Sequence, residues 1–169
     1  MKILKKVLKK LVKEAVEGDR LIPERPWSVE YSFTLSGGTA SDSEGQGPDG
    51  FAIVMTSDNG KTVRIVVDAY WNPTSGDESG NSIKMEYDGQ QVSTYVPVRF
   101  DDGNQQKLII SNTPVPGIMS VSHASSPSSL PIIYLVMKNP FDEDEDVTFD
   151  VETLGNGQVD VKMTGHTNL

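Results

Sequence analysis

Cysteine is absent from this 169-residue chain, which removes disulfides, thiol nucleophiles and thiolate metal sites together. Histidine is scarce: His123 and His166 are the only two. No G-x-S-x-G elbow and no H-E-x-x-H pair occurs. Ser122 and His123 stand side by side, but adjacent residues of a strand face opposite ways, so they make no nucleophile and base. His123 reads as a loop or surface residue and His166 as part of a loose tail over 165–169, so the chain reads as a non-enzyme. No run of roughly 18 apolar residues is present to span a bilayer as a helix. The opening segment is no secretory signal either, because lysines interrupt any apolar core and no small-residue cleavage site follows.

What is present is turn-forming and β-forming. Apolar residues make up 36%, against 15 glycines and 10 prolines, a balance that suits a turn-rich β protein better than a helical bundle. Charge is split by position. Residues 1–18 carry net +4 and the rest of the chain net −13, within a total of −9. Such asymmetry describes a basic arm for a polyanion, a membrane surface or an acidic partner, on a body that repels polyanions.

The arm is MKILKKVLKKLVKEAVEG. Ile3, Leu4, Val7, Leu8, Leu11, Val12, Ala15 and Val16 recur at the spacing of one helical face. Lys2, Lys5, Lys6, Lys9, Lys10 and Lys13 share the opposite arc, and Gly18 supplies a stop. The spacing predicts an amphipathic helix over 2–17. Three uses stay open: docking by its apolar face on its own domain or a neighbour, presenting lysines to nucleic-acid phosphates, or lying on a membrane surface.

After a Pro-containing linker (19–26), β-rich runs alternate with turn signals. The runs are 27–35, 51–56, 61–71, 82–87, 91–100, 106–111, 130–137, 146–153 and 158–163, punctuated by Asn59-Gly60, Asp88-Gly89, Asp102-Gly103 and Asn156-Gly157. These dipeptides accept positive φ cheaply and mark sharp reversals. Short strands at this spacing, with no helical period between them, predict an all-β sandwich or barrel over 27–164. Tight turns normally join strands of one sheet, yet they also turn corners between two sheets, so connectivity stays open.

Three stretches resemble the jelly-roll coat proteins of small non-enveloped RNA viruses of the picorna-like or satellite type. VRIVVDAYWNPTSGDESGNSIKMEYDG (63–89) is similar to their strands D and E, YVPVRFDDGNQQKLIISNTPVPG (95–117) to F and G, and SSLPIIYLVMKNPFDEDEDVTFDVETLGNG (128–157) to H and I. The resemblance implies an eight-stranded jelly-roll sandwich with the N-terminal helix attached and 158–163 left over. It further implies a structural capsid subunit that assembles with copies of itself or related coat subunits. The lysine arm would meet genomic RNA, or a membrane during entry, and the location would be the virion, assembled in host cytoplasm.

Two local features suggest binding chemistry. In the run 142–146, Asp142, Asp144 and Asp146 could give hard oxygen ligands to calcium, or form a solvated connector that guards a sheet edge. SDSEGQGPDG (41–50) is a weaker version of the same signal. Tyr70 and Trp71, beside Asn72-Pro73, offer a ring for sugar stacking, with packing as the other role. The alternative to a coat subunit is therefore a β-sandwich binding module for carbohydrate or calcium, tethered by the amphipathic helix.

Overall fold

The computed structural model describes residues 26–36, 50–68, 82–93, 96–97, 104–112, 117–154 and 158–167. Eleven strands run in chain order: β1 (Ser28–Ser36), β2 (Gly50–Ser57), β3 (Thr62–Asp68), β4 (Ser82–Tyr87), β5 (Gln90–Gln91), β6 (Val96–Pro97), β7 (Gln106–Ser111), β8 (Ile118–Ala124), β9 (Ile132–Lys138), β10 (Val147–Leu154) and β11 (Gln158–Thr167). They form two antiparallel sheets. One has the order β11-β1-β7-β8-β9, and the other β10-β2-β3-β4-β5 with β6 paired to β4. The expected all-β sandwich is therefore present. The predicted helix over 2–17, with its six lysines, lies outside the described residues.

Strand formation follows from side-chain alternation. In β1, Val29, Tyr31, Phe33 and Leu35 face inward and are almost fully buried. Phe51, Ile53 and Met55 of β2, Val63, Ile65 and Val67 of β3, and Ile83 and Met85 of β4 supply the opposing layer. Phe33 meets Phe51 with ring centroids 5.0 Å apart, joining the two sheets near the middle of the core.

Turn chemistry fixes register. Asp88 (φ 48) and Gly89 (φ 85) both take positive φ, as a two-residue hairpin of the primed type requires, and Glu86 and Tyr87 pair with Gln91 and Gln90 across it. Gly60 (φ 86) closes the β2–β3 turn, where the Ser57 N–H donates to the Lys61 carbonyl at 2.9 Å. Both turns join neighbours of one sheet, so β2–β3–β4 is a meander, as is β7–β8–β9.

Several expectations change. Among the described residues the strand count is eleven rather than eight. The segment 158–163 is no left-over, because β11 pairs with β1 along its whole length, from Ser36↔Gln158 to Ser28↔Thr167. β11 also carries His166, paired with Val29, past residue 164 where the sequence suggests the sandwich ends. The single strand expected over 91–100 resolves, among the described residues, into the two-residue β5 and β6. β8 had no sequence counterpart, and it places His123 in the core at 4% exposure rather than on a loop or the surface.

If core burial on β1 carries the fold, Phe33→Ala will cost about 3–5 kcal/mol. Thr34→Ala, one residue along and facing outward, will stay within about 0.5 kcal/mol. Urea denaturation of the two variants against the parent measures both.

Candidate functional site

The outer face of the six-stranded sheet carries an internally neutralised charge cluster beside the buried apolar Ala52 and Val66. Val54, Arg64, Glu86 and Asp150 share a cross-strand row, with Ala52, Val66, Lys84 and Glu152 in the next. Arg64 bonds Glu86 through Nη1 at 3.1 and 3.2 Å, and reaches Glu152 through Nη2 at 3.1 Å. One guanidinium thus serves two carboxylates on strands either side of it. Further along, Gly50, Asp68 and Ser82 end the sheet in a third row. Gly50 has no side chain and holds φ 120, a backbone setting that favours glycine; Gly50 and Ser82 are both buried, and Asp68 between them is half-buried. The alternation that buries Val63, Ile65 and Val67 sends the Asp68 carboxylate to the outer face, where β3 gives way to residues 69–81.

The acidic run 142–146 has a different character. Lys61, at the start of β3, sends its ammonium into it: Nζ donates to the Pro140 carbonyl at 2.7 Å and to Glu145 Oε1 at 2.5 Å, with Asp142 Oδ2 at 3.4 Å. Glu145 is 1% exposed and also accepts the Asp142 N–H at 3.0 Å. Burial alone would raise its carboxyl, but hydrogen bonds from Lys61, the Asp142 backbone and Ser57 outweigh this and bring it down to about 2. The Lys61 ammonium is raised by the same bond with Glu145. The Asp58 N–H donates to the Asp146 carbonyl at 2.9 Å, tying the run to the β2–β3 turn. Of the sequence candidates for calcium, Asp142 therefore faces Lys61, Asp146 is engaged through its backbone, and Asp144 is half-buried. Among the described residues no three His, Cys, Asp or Glu side chains form a metal-holding group. The key residue, Glu145, lacked a sequence signal because its partner Lys61 stands 84 positions away.

His123 faces the core between Phe33 and Tyr134, with ring centroids 6.3 and 5.8 Å away, and its Nε2 donates to Gln106 Oε1 at 2.6 Å. Ser122 pairs with Ile109 and Ile133 on the other face, so the two neighbours do not cooperate.

No family model matches the sequence, and no curated protein matches it. Solved structures do. The lectin from Bauhinia forficata in complex with GalNAc superposes at a TM-score of 0.62 with 11% identity, covering 86% of this chain and 72% of that one. Lectin I-B4 from Griffonia simplicifolia, in its metal-free form, gives 0.58 and 16% identity over 83% of this chain and 70% of its own. The exoplasmic/lumenal domain of VIP36, bound to Ca²⁺ and Man3GlcNAc, gives 0.58 and 12% over 83% and 68%.

The chain has a lectin-type sandwich fold. At these identities the likeness concerns the fold alone.

It overturns the coat-protein resemblance, since the similar structures are lectins and not capsid proteins. With the resemblance go the capsid subunit, its assembly with coat subunits, the RNA and membrane roles drawn for the arm, and the virion location. The cause of the error is physical. Short alternating strands and polar turns are common to all two-layer sandwiches, and the likeness in 63–89 was a likeness of strand period, not of pairing.

The Lys61–Glu145 pair sets an acid limit. A carboxyl held at about 2 contributes stability above its ordinary value near 4.5, and that contribution fades as pH falls from there toward 2. Glu145→Gln is expected to lose about 1–3 kcal/mol at neutral pH and to flatten this acid limb. Lys61→Met, which strands a buried carboxylate, is expected to lose more, and adding Glu145→Gln to it to recover part. Urea unfolding from pH 2 to 7 on all four proteins tests this.

Proposed function

We propose that this chain is a carbohydrate-binding module, with its site where the six-stranded sheet ends at Asp68 and calcium as an aid to binding. The supporting observation is the fold: it is shared over more than four-fifths of the chain with lectins solved bound to GalNAc and to Ca²⁺ with Man3GlcNAc.

The chemistry at Asp68 suits that role. The thirteen residues that follow, AYWNPTSGDESGN (69–81), hold Tyr70 and Trp71 together with Asn72, Asp77, Glu78 and Asn81. Aromatic faces stack on the apolar faces of sugars, and amides and carboxylates bond their hydroxyls. Asp68, Asn72, Asp77 and Glu78 are hard oxygen donors of the kind calcium takes. The ion would offset the negative charge of these acidic residues, and the side chains would contact the sugar. Asp142, Asp144 and Asp146 remain a second location for calcium, in competition with the Lys61 ammonium.

Titration of galactose-type and mannose-type oligosaccharides against the full chain, with calcium and with chelator, tests the reading. Binding is expected with calcium, weakened at least about tenfold by chelation, by Asp68→Asn or by Trp71→Ala. Absence of binding to any glycan by protein that is folded and calcium-loaded overturns it. Calcium is expected to raise the melting temperature of the parent and of a variant with Asp142, Asp144 and Asp146 all changed to Asn, but not of Asp68→Asn.

A further inference from the structure

The sandwich has one side that its own strands leave open. β10 edges one sheet and β11 edges the other, and among the described residues no pairing joins them. Side chains aimed at the core from these strands are therefore incompletely covered: Val151 and Met163 are each 40% exposed. Phe149, Val159 and Val161 pack on the core but are only half-buried. This row lies on the core side of each strand, so its exposure is a gap in the interior and not an ordinary surface.

We propose that residues 1–18 of the same chain close this seam, laying the stripe of Leu4, Val7, Leu8 and Leu11 along Phe149, Val151, Val161 and Met163. Three observations commit the occupant. The first is where the chain enters. Trp27 packs edge to face on Phe149 with centroids 6.5 Å apart, and Ser28 pairs with Thr167 at the end of β11. The N-terminal segment therefore arrives at the mouth of the seam, on a linker (19–26) long enough to turn back. The second is length. A helix over 2–17 measures about 24 Å, close to the ~27 Å of the eight-residue β10. The third is charge. The outward faces of the two strands carry Asp150, Glu152 and Asp160 against Lys162, and the acidic run 142–146 leads into β10. Six lysines flanking an apolar stripe meet an acidic rim there.

The other apolar candidate is the β9 edge, where Leu130 is 87%, Ile132 59%, Ile133 50% and Val136 57% exposed. It stands at the far side of its sheet from β11, and residues 130–138 contain no acidic residue to meet the lysines and one lysine of their own. The seam is the better match.

The cysteine-free sequence makes a direct test available. In the full chain, Leu8→Cys with Val151→Cys is expected to form an intramolecular disulfide on mild oxidation at least about tenfold faster than Leu8→Cys with Ile133→Cys. Equal rates, faster closure at Ile133, or disulfide-linked dimers would overturn the assignment. A second measurement avoids cross-links: Leu8→Asp with Leu11→Asp in the full chain is expected to speed amide exchange in β10 and β11 about tenfold or more while leaving β9 unchanged. Exchange in β10 and β11 that matches the parent would sink the proposal, whatever the outcome of the sugar titrations.

Discussion

The contact between Phe33 and Phe51 is where the two sheets become one molecule. Each strand sends alternate residues toward the opposite sheet, so neither sheet has a stable interior without the other. β1 brings Val29, Tyr31, Phe33 and Leu35 to that boundary, and β2 brings Phe51, Ile53 and Met55 to meet them. Burial also disciplines the polar groups caught near it. His123 is tolerated inside because Gln106 accepts its hydrogen bond, and the Tyr31 hydroxyl is pushed up to about 12, first by burial and then by the charge of Asp150.

Charge is arranged differently at three places on this frame. On the outer face of the six-stranded sheet, Arg64 is held by two carboxylates, so the charge there is locally balanced. In the acidic connector, Lys61 does the balancing and fixes the loop against the β2–β3 turn. At the end of the sheet, Asp68 stands beside a glycine and a serine. A body net −13 outside its first 18 residues can thus fold without strong internal repulsion.

Much of the sandwich was legible in the sequence, because alternation and Asx-Gly turns act locally. WSVEYSFTL declared its buried face, and Asp88-Gly89 declared its hairpin. β8 was missed although MSVSH alternates as strictly, since histidine at an inward position and two serines disguised it. Pairing beyond the tight turns was not legible: nothing local says that β3 and β4 share a sheet, or that β11 seeks β1. That gap let a periodic likeness pass for a coat protein. The candidate site was legible only as composition, in Tyr70 and Trp71 among carboxylates and amides. The sheet row that presents Asp68 between Gly50 and Ser82 is a product of pairing.

The β1–β11 ladder imposes an order in time. Ser28 and Thr167 are 139 residues apart, and their strands hold neighbouring places in one sheet. During synthesis β1 emerges well before β11, so that flank stays bare until β11 leaves the ribosome. Loop closure over that span makes the final docking slow, and the waiting edge is a template for any other strand in reach. A protein built this way is most vulnerable just before β11 docks.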